Sequence, residues 1–223
     1  MKLKKIPLSG AILLTTLLLL LLGLFFPKLL PAFLKPFFEN FRPQQNWKLT
    51  VYYTPVEIYH SGEKEDITGC LISNCVNGTD YLGAFPQDFI SILKIEGVGK
   101  ISHGQFAGKY LHYSAERGFW IDTAARDYNG KPLVPFQTAA ADGNIPFGTQ
   151  FKIKNCGIHD TSKKPLDKDV CDKLKAVSWK VEDRFSKLNI GYHFDLYVGE
   201  ENAPNFTVNN PFYFSVINAH ISF

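Results

Sequence analysis

Three aspartates stand at the ends of short alternating stretches. Asp142 follows the small-residue run Thr138-Ala139-Ala140-Ala141, Asp183 closes Trp179-Lys180-Val181-Glu182-Asp183, and Asp195 lies inside His193-Phe194-Asp195-Leu196-Tyr197. A carboxyl beside apolar neighbours, or crowded by a second carboxyl, keeps its proton to higher pH. A carboxyl protonated near neutrality is what a general acid requires, so three such groups gathered in one cleft would suit proton transfer. An aspartate at a strand end commonly caps a turn, and residue type alone does not decide between the two roles.

Other chemistries lack their motifs. The chain has no H-E-x-x-H, no G-x-S-x-G and no Walker-type glycine loop, which leaves zincin, serine-hydrolase and NTPase readings unsupported. The six histidines are scattered, and only His159 and His193 sit beside acids. No metal and no cofactor is expected. Lys and Arg number 24 against 21 acids, and three of those cations, Lys2, Lys4 and Lys5, precede the first apolar run. The remaining body is neutral, without the clustered cations that duplex phosphates demand, so nucleic acid is excluded as a partner. Oligomeric state is not legible.

The aspartates need strands to hold them. Trp47, Leu49, Val51 and Tyr53 alternate with polar or small residues up to Pro55, the signature of a half-buried strand. The same period runs through 147–154. In 179–184 it puts Asp183 on one face with Trp179 and Val181. In 193–198 it puts His193, Asp195 and Tyr197 opposite Phe194, Leu196 and Val198, and 211–223 reads as a closing strand. One stretch is helical: Pro86 starts it, Phe89, Ile92 and Leu93 form its stripe, and Gly97 stops it. Residues 97–108 read as a loop or hairpin, and 155–178, polar and rich in lysine, as a surface excursion. Short strands with one or two helices imply a mainly β fold, a compact barrel over 47–223.

The N-terminal segment addresses the chain to a membrane. Residues 6–26 carry no charge, and at about 1.5 Å per residue they reach roughly 31 Å as a helix, enough to span hydrocarbon. The lysines before them orient the N-terminus to the cytoplasm. Phe25-Phe26-Pro27-Lys28 offers bulky residues where a signal peptidase needs small ones, so 1–26 is expected to be an uncleaved signal anchor. Pro27, Pro31, Pro36 and Pro43 break any long helix in 27–46, a juxtamembrane stalk with room for a short interfacial helix at 32–40. The rest is then extracytoplasmic, periplasmic or on the wall side. There Cys70, Cys75, Cys156 and Cys171 are expected to form disulfides. Three pairings are possible, and local pairing is the simplest.

Four motifs in order carry a resemblance: Tyr52-Tyr53-Thr54-Pro55; Phe136 to Asp142 with Ile145-Pro146-Phe147-Gly148-Thr149; Val181-Glu182-Asp183; and His193 to Tyr197. Together they resemble the three-aspartate (3D) domain of MltA-type lytic transglycosylases and of smaller peptidoglycan-remodelling proteins from spore-forming bacteria. The resemblance covers roughly 47–197 and is faint over 56–117. It implies a double-psi β-barrel with Asp195 as catalytic acid/base, Asp183 as supporting acid and Asp142 as the third aspartate. It further implies glycan strands of peptidoglycan as partner, with Tyr52, Tyr53, Gln137, Thr138 and Tyr197 as candidate sugar contacts. The implied reaction cleaves the MurNAc–GlcNAc β-1,4 bond and forms a 1,6-anhydro end. A non-catalytic wall-binding barrel and a hydrolase of another β-linked polysaccharide are the alternatives. Two departures stand out: Arg184-Phe185 where the family has a small residue and Gly, and the cysteine-bracketed insert at 155–178.

Overall fold

A computed structural model describes residues 46–185 and 192–223. Strand β1 (Trp47–Thr54) leads through a single 3-10 turn into β2 (Lys64–Cys70), β3 (Asp80–Pro86), helix α1 (Gln87–Glu96), β4 (Val98–Lys100), β5 (Tyr110–Ser114) and β6 (Gly118–Asp122). The chain continues through β7 (Thr138–Ala141), β8 (Gln150–Asn155), the two-residue β9 (Ile158–His159) and helix α2 (Lys168–Ala176). It ends with β10 (Trp179–Arg184), β11 (His193–Glu200), a one-turn helix α3 (Phe206–Asn209) and β12 (Ser215–Ser222).

Six of these strands close a barrel. Their order is β1-β11-β7-β10-β8-β12, and β12 pairs back onto β1, with β9 added along β12. Two pairs are parallel, β1 with β11 and β7 with β10, and the other ring contacts are antiparallel. Closure leaves no open edge in the ring. Alternation fills the interior: Leu49, Val51, Ala139, Ala141, Phe151, Ile153, Trp179, Val181, Phe194 and Leu196 are all buried in one cluster. Trp47 stacks on Phe194 with centroids 4.6 Å apart, and Phe194 on Phe151 at 3.9 Å. Burying side chains of this size contributes about 1.5–3 kcal/mol each.

The segment between β1 and β7, expected from sequence to belong to the barrel, builds a separate five-stranded sheet of order β3-β2-β6-β5-β4. Its own core joins Ile67, Leu82, Leu111 and Ile121 to Phe89, Ile90 and Leu93 of α1. The helix stops where its sequence signals place the end. Gly97 adopts φ 85°, a conformation costly for a side chain-bearing residue, and its N–H bonds Leu93 O.

The region 155–178 is not a plain surface excursion. Asp167 accepts hydrogen bonds from the N–H groups of Asp169 and Val170, capping α2. Val170 and Leu174 of that helix enter the barrel core. The lysine-rich composition belongs to the helix's outer face and hides a narrow apolar stripe. Cys156 bonds Cys171, pinning α2 to the end of β8, and Cys70 bonds Cys75 in the inserted sheet, so both disulfides are local. Among the described residues no helix is long and apolar enough to cross a membrane. The expected anchor and the stalk, apart from Asn46, lie outside them.

Candidate functional site

Strand β7 runs between β10 and β11, and one residue of it, Ala140, stands in register with Asp183 on one side and Asp195 on the other. Strict alternation would keep Asp183 on the interior face with Trp179 and Val181. A bulge prevents that: Val181 pairs with Ala139 and Asp183 with Ala140, so two residues of β10 span one step of β7. The extra residue, Glu182, turns Asp183 to the outer face that Ala140 shares with Tyr52 and Tyr197. Asp195 reaches that face by ordinary alternation, since Phe194 and Leu196 point inward. The two aspartate backbones are two strand spacings apart, roughly 9–10 Å, with only a methyl group between them.

The two carboxyls are held differently. Asp183 accepts three hydrogen bonds: from the Tyr52 hydroxyl at 3.0 Å, the Tyr128 N–H at 3.0 Å and its neighbour Arg184 N–H at 2.9 Å. Burial raises its pKa, and those three donors oppose the rise. Asp195 accepts one, from Thr50 Oγ1 to Oδ1 at 2.7 Å. Burial pushes it up to about 6; the Thr50 bond works against the rise, and the Asp183 charge adds to it. No hydrogen bond reaches Asp195 Oδ2 from the described residues.

Thr50 connects a second group. Its Oγ1 lies 2.7 Å from His193 Nε2. A threonine hydroxyl has one proton, and with Asp195 ionised that proton goes to the carboxylate. His193 must then donate from Nε2. Its Nδ1 is buried and unpaired among the described residues. Burial first, and Lys48 second, hold the ring down to about 4, with Asp142 pulling the other way. The imidazole is therefore neutral above pH 5 and keeps that tautomer. Phe185 covers it at 4.6 Å between ring centroids.

Asp142 is buried beyond the end of β7, and its Oδ1 accepts from Asn144 N–H at 2.9 Å, the pattern of a turn cap. It is felt electrostatically by His193 and hydrogen-bonds neither Asp183 nor Asp195. Tyr52 and Tyr197 form the buried floor, 5.2 Å apart, with Tyr197 tied to Thr54 Oγ1 at 2.8 Å. Tyr53 lies inside the barrel against Phe206, so its ring is not available to a sugar. Thr138 is buried and its Oγ1 accepts from Val134 N–H, while Gln137 is exposed just before β7.

Three contributors escaped the sequence reading. Thr50 sits between two strand-defining hydrophobics and carries no motif of its own. Glu96, at the end of α1, accepts from Tyr53 N–H at 3.2 Å; burial raises it to about 8, with Asp195 adding to the rise. Tyr128 belongs to the loop after β6, whose turn Asp127 closes by accepting from Asn129 and Lys131 N–H. A cleft of about 330 Å³ opens beside Thr50, walled by His159, Thr161, Tyr213 and Ser215. Neither that cleft nor a hollow of about 360 Å³ in the inserted sheet is lined by any of the three aspartates. Among the described residues, no three His, Cys, Asp or Glu side chains are grouped to hold a metal ion.

No family model matches the sequence, and no curated protein matches it. Solved structures do. MltA of E. coli, crystallised with bound chitohexaose, is 13% identical over 79% of this chain and 71% of its own, with a TM-score of 0.50. This chain has the MltA-type fold. Alongside it stand the membrane-bound lytic murein transglycosylase of Agrobacterium tumefaciens (13% identity, 78% and 72% covered, TM-score 0.47) and the lytic transglycosylase LtgG of Burkholderia pseudomallei (11%, 79% and 71%, 0.45). In this MltA-type barrel the departure at Arg184-Phe185 has a structural account. The Arg184 guanidinium lies 3.5 Å from the centroid of the Phe147 ring, and Phe185 packs on His193.

Proposed function

We propose that the chain is a peptidoglycan lytic transglycosylase, breaking the β-1,4 bond between MurNAc and GlcNAc and closing a 1,6-anhydro ring. The observation that supports this most is the inequality of two carboxyls on one face. Asp183 has three donors to hold it ionised, while Asp195 has one donor and a pKa of about 6. Two carboxyls pushed apart in this way divide the roles of charge and proton.

Protonated Asp195 gives its proton through Oδ2 to the glycosidic oxygen as the C1–O bond breaks and positive charge develops at C1. The resulting carboxylate then takes the proton of the same sugar's C6 hydroxyl, whose oxygen bonds C1. Proton and electron pairs balance without water, and no second carboxylate is needed to activate one. Asp183 raises the proton affinity of Asp195 and faces the developing positive charge. Thr50 fixes the orientation of Asp195 through Oδ1, and neutral His193 fixes Thr50. Asp142 acts at one remove, holding the turn beside His193. The two parallel pairs of the ring fit a double-psi β-barrel. On this reading residues 1–26 anchor the chain, 27–46 form the stalk, and the barrel works on glycan strands outside the cytoplasmic membrane.

The test is incubation of the full chain with purified peptidoglycan and mass analysis of soluble fragments. Products about one water lighter than hydrolysed muropeptides are expected, and Asp195→Asn is expected to lower their rate by about 10²–10⁴. Full-mass reducing ends, or no products from the wild type, would overturn the proposal.

A further inference from the structure

Next to Asp183 an aromatic ledge stands open. Tyr128 is 72% exposed and Phe147 39% exposed, their rings are 5.7 Å apart and nearly parallel at 27°, and Arg184 covers Phe147. The ledge is fixed to the acid site at both ends: Tyr128 N–H and Arg184 N–H both donate to Asp183 Oδ1. Exposed aromatic faces cost solvation and offer sugar C–H groups a flat surface. A guanidinium stacked on a ring has its face occupied and its N–H edge free. Among the described residues Arg184 makes no ion pair, and its one side-chain hydrogen bond, to Asp183 O, is long at 3.5 Å. A planar fork held in place without an acid is prepared for one.

We infer that Arg184, stacked on Phe147, reads a carboxylate on the O3 branch of a muramyl residue seated against Tyr128. This rests on the proposed function and deepens it: the ledge would distinguish murein from an uncharged glycan. The branch carries such a group in two forms, the carboxylates of the stem peptide or, where the peptide has been removed, the free lactyl carboxylate.

Equilibrium binding of the full chain separates them. The probes are soluble peptide-bearing strands, the same strands stripped by an amidase, and chitohexaose, which has no carboxylate. Charge-assisted hydrogen bonds of this kind carry about tenfold or more in affinity. Arg184→Gln is therefore expected to weaken one murein probe about tenfold relative to chitohexaose, with Arg184→Lys recovering part of the loss. Loss confined to peptide-bearing strands assigns the peptide carboxylate, and loss confined to stripped strands the lactyl group. An equal loss on all three probes, or none on any, overturns the inference. Because binding is read without turnover, a wild type that binds selectively but releases no fragments would sink the proposed reaction and leave this ledge standing. Tyr128→Ala, expected to weaken all three probes alike, reports the sugar contact separately.

Discussion

Asp183 and Asp195 flank the same residue, Ala140, and that shared register decides how their charges meet. Of β7, only the methyl side chain of Ala140 stands between them, and it packs with Tyr52 and Tyr197. Neither a larger residue in β7 nor a regular β10 would produce the pair.

Ala140→Leu puts a branched side chain in place of that methyl. Overpacking is expected to cost about 1–3 kcal/mol of stability. Murein cleavage should fall much further, about 100-fold, because misplacement of a catalytic group is amplified in the rate. Thermal melting and fragment release on the same preparation check the two separately; equal, small effects on both would show that the small residue is incidental.

The pH dependence of cleavage carries the sign of each neighbour. The acid must hold its proton, so the rate is expected to decline as pH rises through about 6. Asp183→Asn removes a negative neighbour and moves that decline to lower pH. Thr50→Val removes the donor that favours the ionised form and moves it higher, while Thr50→Ser leaves it near the wild-type position. Opposite displacements are the signature; two variants that merely lose rate without moving the profile would assign both residues a structural role.

Glu96 gives a stability prediction. Its carboxyl is raised from 4.5 to about 8 in the fold. Below pH 4 both folded and unfolded chains hold the proton and nothing is lost. Between about 4 and 8 the unfolded chain releases it and the folded chain does not, so stability falls across that window and levels above it. Glu96→Gln keeps an oxygen for Tyr53 N–H and removes the titration. Its melting temperature is expected to exceed the wild type's at pH 9 and to match it at pH 4.

Much of the barrel was legible because period-two alternation is a direct image of a sheet with one buried face. Strands at 47–54, 150–155, 179–184 and 193–200 lie where Leu49, Phe151, Trp179 and Phe194 mark them. Helix α1 was legible from Pro86 and Gly97. Three things were not. The inserted sheet has irregular, partly exposed strands such as Lys64–Cys70, in which only Ile67 and the last two residues are buried, so alternation fails. Helix α2 hides two apolar residues among lysines and aspartates. The bulge at Glu182 is a property of pairing, absent from any single strand, and it reverses the face on which Asp183 lies. Among the acids, Asp195 could be placed by alternation alone, whereas Asp183 could not.

The hydrogen bond from Thr50 to Asp195 spans 145 positions of chain. Both partners sit in neighbouring parallel strands, and the ring around them is completed by β12, which comes later still. Contacts of such long separation form late, after the entropy of closing a large loop has been met. A chain whose ring is still open therefore carries Asp195 without its tuning partner, an ordinary aspartate with an ordinary proton affinity. On the proposed function, competence to cleave then waits on ring closure, and a chain whose barrel is still open has no acid poised to act.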